Sequence, residues 1–301
     1  NSTTKPLGIG YNAVDGGNFF KGALDEVQVY NVALSAPQIA ALYASQNTAP
    51  VVSPGLVASY AFSNNGSDGS TFGNHATLTD VKSTTDRFGY GNSAFSFNGT
   101  SSEVTASNSA QLNSDYTTVS FWIKPNSFAA PGSETYVLSF GGWQERWKIS
   151  MPDHGKPVWT TNAQSCCSDL DSGDPLALGV WRHVVMVHNG TKDKIFFDGV
   201  LKAEKDSPGN LKVTTSPLGI GYDAVDGGSF FNGALDEVQI YNVALSDSEV
   251  ADLYAAQSQA PAVTDTEAPS APLNLAATVS FNNVTLSWLP ASDNVAVTGY
   301  N

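Results

Sequence analysis

Two stretches of this chain are nearly the same. Thr3–Pro50 and Thr214–Pro261 align without a gap at an offset of 211 residues, with 35 of 48 positions identical. Their common heart reads GALDEVQVYNVALS at Gly22–Ser35 and GALDEVQIYNVALS at Gly233–Ser246. Solenoid repeats recur at tens of residues, so an offset this long is the length of a whole domain. The expected organisation is the C-terminal part of one module in residues 1–50, a complete copy in residues 51–260, and a further piece in residues 261–301. On this reading the chain is a window on a longer tandem array.

The repeated unit has a readable local structure. Apolar runs at Leu7–Ile9 and Leu24–Tyr30 flank a Gly-rich turn, and Val27 and Val29 alternate with Glu26 and Gln28. Ser35 with Gln38 has capping-box spacing, and Ile39, Leu42 and Tyr43 follow helical periodicity; Ser246, Glu249, Val250, Leu253 and Tyr254 repeat that logic. The unit therefore predicts strand, turn, strand and short helix. Between the copies, short strands are expected at Leu56–Phe62, Ala94–Phe97, Glu103–Ala106, Thr118–Lys124, Thr135–Phe140, Arg146–Met151, Lys156–Thr160, Arg182–Asn189, Lys194–Phe197 and Val200–Glu204. Many short strands with almost no helix imply an all-β sandwich or barrel. Leu275–Thr278, Asn283–Trp288 and Val297–Tyr300 read as strands of another β module.

Charge narrows the partners. The formal net charge is −14, with no Lys/Arg cluster, which argues against nucleic acid and against anionic membrane surfaces. No apolar run approaches the length of a membrane span, so no membrane insertion is expected. The acidic, Asn/Ser/Thr/Gly-rich composition suits a secreted or cell-surface protein.

The body resembles the laminin-G-like, concanavalin A-like jelly-roll sandwich of bacterial surface and secreted proteins. The likeness is carried by SYAFSNNGSDGSTFGNHATL (Ser59–Leu78), AFSFNGTSSEV (Ala94–Val104), TVSFWIKP (Thr118–Pro125), WRHVVMVHNG (Trp181–Gly190), IFFDGVL (Ile195–Leu201) and GALDEVQIYNVALS. Residues 268–301 resemble the start of a fibronectin type III module, with Trp288 as its core tryptophan. Trp122 and Trp181 are also assigned to cores.

The resemblance implies a structural Ca²⁺ joining the opening turn to the closing strand, through Asp68 and Asp236, with Ser70, Gly73 and Asn98 as weaker ligands. Ca²⁺ takes 6–8 oxygen ligands, and Gly/Ser/Asn turns offer them. The alternative is that Asp68 is an Asx-turn residue and Asp236 a structural acceptor.

A ligand face is expected from Trp143, Arg146, Trp147 and Trp159 beside the loop holding Cys166 and Cys167. Sugar rings stack on aromatic faces while their hydroxyls take hydrogen bonds. Trp147 shares parity with Ile149 and Met151, which equally suits a core strand, whereas Trp143 follows two glycines in a turn. Cys166 and Cys167 read as a vicinal disulfide, against two plain thiols or an intermolecular bridge; Asp169, Asp171 and Asp174 read as a solvated loop, against a further cation site. Catalysis is not expected. Glycoside hydrolysis needs two carboxylates across one cleft, the ExDxxE pattern usual for hydrolases of this fold is missing, and His75, His154, His183 and His188 have no ligand spacing. The expected function is non-catalytic binding or adhesion to an extracellular polysaccharide or glycan, with neighbouring modules of the same chain as partners. The alternatives are a structural spacer and, behind it, a polysaccharide-degrading enzyme.

Overall fold

The structure, a computed structural model, describes residues 7–14, 16–22, 29–30, 39, 55–163, 167–260, 271–280 and 283–289. The chain divides into two units, Asn1–Pro54 and Gly55–Asn301. The expected strand over Leu24–Tyr30, the helix after Ser35 and the strand Val297–Tyr300 lie outside the described residues, wholly or in most of their length.

In chain order the strands of the second unit are β1 (Leu56–Tyr60), β2 (Ala76–Thr79), β3 (Lys82–Thr84), β4 (Ala94–Asn98), β5 (Glu103–Ala106), β6 (Thr117–Pro125), β7 (Glu134–Phe140), β8 (Trp147–Pro152), β9 (Val158–Thr161), β10 (Ser168–Asp171), β11 (Arg182–His188), β12 (Lys192–Phe197), β13 (Val200–Asp206), β14 (Leu218–Ile220), β15 (Asn232–Tyr241), β16 (Leu273–Ser280) and β17 (Asn283–Leu289). The helices are α1 (Gly142–Glu145) and α2 (Asp247–Gln257). The first sheet runs β13-β12-β11-β6-β15-β4-β3, with β1 also on β15; the second runs β10-β9-β8-β7-β14-β5-β2. Their ladders are antiparallel, and β16 and β17 form a separate hairpin. This is the expected β-sandwich, a concanavalin A-like jelly roll.

The inner faces of the two sheets build one core. Val119, Phe121 and Ile123 of β6 meet Trp147, Ile149 and Met151 of β8, as their parity predicts. The repeated segment closes the sandwich twice over. β14 lies between β7 and β5 in one sheet, and β15 lies against β6 in the other. A break in register between Asp236 and Gln239, with Glu237 at φ +46°, lets β15 leave β4 and take up β1 on the same edge. Gly221, at φ +87°, turns the chain between them; a Cβ there would fall 2.2 Å from the Phe97 ring.

Helix α2 starts with the capping box read from the sequence, Ser246 with Glu249. It packs Val250 against Val185, Val187 and Phe196 on the outer face of the first sheet. Two expectations change. Asp169–Asp171, read as a solvated loop, belong to edge strand β10, because Leu170 inserts into the core. Trp288 is 40% exposed on its hairpin rather than buried in a core, while Trp122 is 6% exposed and Trp181 intermediate.

Candidate functional site

The outward face of the second sheet is set by the same alternation that builds the core. Trp147, Ile149, Trp159 and Leu170 point inward, so Lys148, Thr160 and Asp169 point outward. Lys148 pairs with Thr160, and Thr160 with Asp169, giving a row across β8, β9 and β10. Glu134 and Tyr136 of β7 flank that row. Together with Trp143 and Cys167, these residues line a groove of about 300 Å³.

Hydrogen bonds and charges lock the groove floor. The Lys148 ammonium donates to the Glu134 carboxylate and sits 4.6 Å from the Tyr136 ring centroid. Thr160 Oγ1 donates to Asp169 Oδ1 at 2.6 Å. Burial, then the Glu134 charge, hold the Tyr136 phenol above its ordinary pKa, so it remains a neutral hydrogen-bonding group.

Trp143 forms the aromatic wall. Gly141, at φ +76°, starts the short helix α1 that lifts the indole out, and the ring is 42% exposed. Asn162 ties this wall to the cysteine loop. Its amide donates to the Trp143 carbonyl at 2.6 Å, and its Oδ1 accepts from the Cys167 backbone N–H at 3.2 Å. A recess of about 70 Å³ on α1, with Asp223, Val225 and Asp226, shares Trp143 with the groove.

Of the residues expected on the ligand face, the structure brings together Trp143 and Cys167 only. Cys166 lies outside the described residues, and no described cysteine is free. Arg146, Trp147 and Trp159, expected on that face, are instead buried beneath it, each at most 1% exposed. Trp147 and Trp159 pack against each other in the core at 5.4 Å. The Arg146 guanidinium donates to the Lys212 and Ser114 carbonyls, both at 2.6 Å, and burial lowers it to about 10. Sequence reading missed Tyr136, Lys148, Thr160 and Asn162. Lys148 and Thr160 carry the complementary parity to Ile149 and Trp159, which was the available signal; Tyr136, beside a register break in β7, and Asn162 left none.

The residues implied for calcium fall into separate environments. Asp68 accepts from the backbone N–H of Ser59, Ser70 and Asn74 at 2.7–2.8 Å and from the Ser70 hydroxyl at 2.7 Å. Gly73 lies in that loop at φ +69°. Asn98 instead bonds Asp80 and caps the turn at Thr100–Ser102. Asp236, 2% exposed, accepts from Arg87 at 2.7 Å and from the Glu237 N–H at 2.8 Å. Burial and the Glu237 charge push its carboxyl up to about 7 against the pull of Arg87. Among the described residues no group of three or more His, Cys, Asp or Glu is placed to hold a metal. With four N–H and O–H donors on Asp68 and a guanidinium on Asp236, this donor set does not fit one Ca²⁺ between them.

The described residues thus form a two-sheet jelly roll with a groove of about 300 Å³ on one outer face. The chain belongs to the concanavalin A-like lectin/glucanases superfamily, whose Laminin_G_3 model matches residues 1–40 and 98–251. Among similar solved structures is the binding domain of Paraclostridial Mosquitocidal Protein 1, with a TM-score of 0.57 and 21% identity, covering 67% of this chain and 52% of that one. Domain 4 of AbnA, a GH43 extracellular arabinanase from Geobacillus stearothermophilus in complex with arabinotriose, gives 0.53 and 23%, covering 66% of this chain and 98% of that one. The binding domain of Botulinum Neurotoxin DC in complex with SialylT gives 0.52 and 14%, covering 67% and 51%. At these identities the likeness is one of fold. An alpha-amylase of Niallia circulans is 61% identical over 41 residues, and its Chitinase A1 55% identical over 38. Those matches span 13% and 12% of this chain but only 3% and 5% of the two proteins.

Proposed function

We propose that the jelly roll of residues 55–260 is a non-catalytic, extracellular carbohydrate-binding module whose glycan site is the groove beside Trp143. The half-exposed Trp143 carries this reading, because it stands over a floor of hydrogen-bonding side chains on an outer sheet face. The indole offers a flat apolar surface to a sugar C–H face, and Glu134, Lys148, Thr160 and Asp169 offer donors and acceptors to hydroxyls. The volume suits one or two sugar rings. Two neighbours with this fold are complexes with arabinotriose and SialylT, which supports the class of ligand. A Cys166–Cys167 vicinal disulfide is part of this proposal: Cys167 lines the groove, the chain has two cysteines in all, and none described is free.

Glu134 and Asp169 put two carboxylates in one groove, the observation that favours a hydrolase as the second reading. Their strands are separated by β8 and β9, three spacings of about 4.8 Å. Each carboxylate is already held by a neighbour, Lys148 or Thr160. Recognition is therefore the better reading.

The test is retention of the chain on immobilised polysaccharides and a glycan array that includes arabino-oligosaccharides and sialylated glycans. Binding is expected, with Trp143→Ala weakening it about tenfold, near the upper worth of one stacked ring. Absence of binding to every glycan, or an unchanged Trp143→Ala, would sink the proposal. Release of reducing sugar, abolished by Glu134→Gln, would install the hydrolase instead.

A further inference from the structure

Trp143 stands between two hollows. On one side is the groove, lined by Glu134, Lys148 and Asp169; on the other is the recess, lined by Glu145, Asp223 and Asp226. Five of these six charged side chains are carboxylates. Among the described residues Lys148 is the one cation lining either hollow, and Glu134 already holds it. Lys205 of β13 donates to the Asp169 carbonyl at 3.1 Å but lines neither hollow. Gln164, Ser165 and Cys166, which precede Cys167, bring no cationic side chain.

The remaining carboxylates keep their charge uncancelled. Asp169 accepts from the Thr160 hydroxyl at 2.6 Å, and Glu145 from the hydroxyls of Thr214 and Ser216. Asp223 accepts from the backbone N–H of Val225 at 2.9 Å and of Asp226 at 3.4 Å, and Asp226 is exposed. Neutral donors fix a carboxylate in place without neutralising it. Hollows lined by one sign of charge concentrate its field. That field reaches the groove floor from both sides of Trp143: after burial, the charges of Glu134, Asp223, Asp226 and Asp169 all push the Tyr136 phenol upward.

We propose that this site selects glycans by charge, binding amine-bearing sugars best and uncharged sugars next, and rejecting carboxylated or sulfated ones. The inference rests on the groove being a glycan site: Trp143 makes the site, and the carboxylates set its sign. A sugar acid brings its own anion to a surface whose lining cation is already paired. A sugar ammonium instead meets carboxylates whose partners are neutral, and gains a charge-assisted hydrogen bond from any of them. The sialylated and uncharged glycans of the array are thereby ranked.

The experiment uses the full chain and matched probes: lactose against sialyllactose, and the tetramer of glucosamine against that of N-acetylglucosamine. At low salt the uncharged member of the first pair should bind about tenfold better than the sialylated one, and the glucosamine tetramer better than its acetylated form. Both gaps should narrow towards parity in 0.5 M NaCl, because exposed charges are screened. Asp226→Lys should raise the ratio of sialyllactose to lactose binding several-fold. Equal or stronger binding of sialyllactose, or a gap that salt leaves unchanged, would overturn the charge selection while leaving the glycan site standing. Binding of sialyllactose that is lost in EDTA would assign the carboxylates to a bridging metal and overturn it as well. Absence of binding to every glycan would remove the site, and this inference with it.

Discussion

Acid should unfold this domain through His183. The imidazole lies on β11 with no exposed surface, between Trp122 at 5.2 Å and Tyr254 at 5.7 Å. Nε2 lies 2.8 Å from Ser120 Oγ, and Nδ1 has no hydrogen-bond partner. A neutral ring with Nε2–H donating to Ser120 leaves Nδ1 a bare acceptor; a second proton would bury an unpaired cationic N–H. Burial, then the positive charge of Arg87, lower the ring to about 3. The folded state therefore refuses a proton that the unfolded chain takes near pH 6.5, so stability is complete above that pH and is lost as pH falls towards 3. At pH 5 the loss is about 1.5 units, or about 2 kcal/mol at 1.4 kcal/mol per unit, rising to about 5 kcal/mol near pH 3. For a domain of this size, 2 kcal/mol is about 4–8 °C in Tm. The assay is urea unfolding at pH 7.5 and pH 5.0 for the native chain and for His183→Gln, which retains a polar partner for Ser120 but does not titrate. Carboxylates contribute equally to both proteins, so the native chain should lose about 2 kcal/mol more than the variant. Equal losses would show that His183 is not the acid-sensitive group.

Arg87 clasps the closing strand to the end of α2: it binds Asp236, gives two bonds to the Gln257 carbonyl, and stacks 4.6 Å from the Trp122 ring centroid. Arg87→Ala leaves Asp236 buried and unpaired and should cost about 3–5 kcal/mol by urea unfolding, with Arg87→Lys failing to restore it for want of the planar fork. Because that cation is a side chain, chelation with EDTA should leave the Tm unmoved; a drop reversed by added Ca²⁺ would restore the metal site. Asn162→Ala removes the bond to the Trp143 carbonyl and should weaken glycan binding several-fold on the same array, at unchanged groove charge. Gly221→Ala should cost about 2–4 kcal/mol, from a left-handed backbone and a clash with Phe97.

The sandwich was legible because alternation is a property of neighbouring residues: Val119, Phe121 and Ile123 show their inward face without reference to any other strand. The site was not legible in the same way. Trp147 and Trp159 announce themselves as large aromatics near a polar loop, yet residue type does not say which sheet face a side chain serves. Parity does, and it sends both inward and their neighbours Lys148 and Thr160 outward. The edge strand β10 escaped because Ser168–Asp171 holds one apolar residue, Leu170, and its other side chains face water or the groove. The partner of Asp236 was not legible for a different reason. A resemblance transfers the aspartate in LDEV, but Arg87 reaches Asp236 from 149 residues away in sequence, and no local pattern records such a pairing. The duplicated segment joins these lessons. Its sequence predicts the turn it forms in both copies, since that turn is made by its own backbone, whereas burial of Phe20 or Phe231 depends on a framework elsewhere. Residues of the same type are therefore buried in one copy and exposed in the other, and the segment's own sequence does not record the difference.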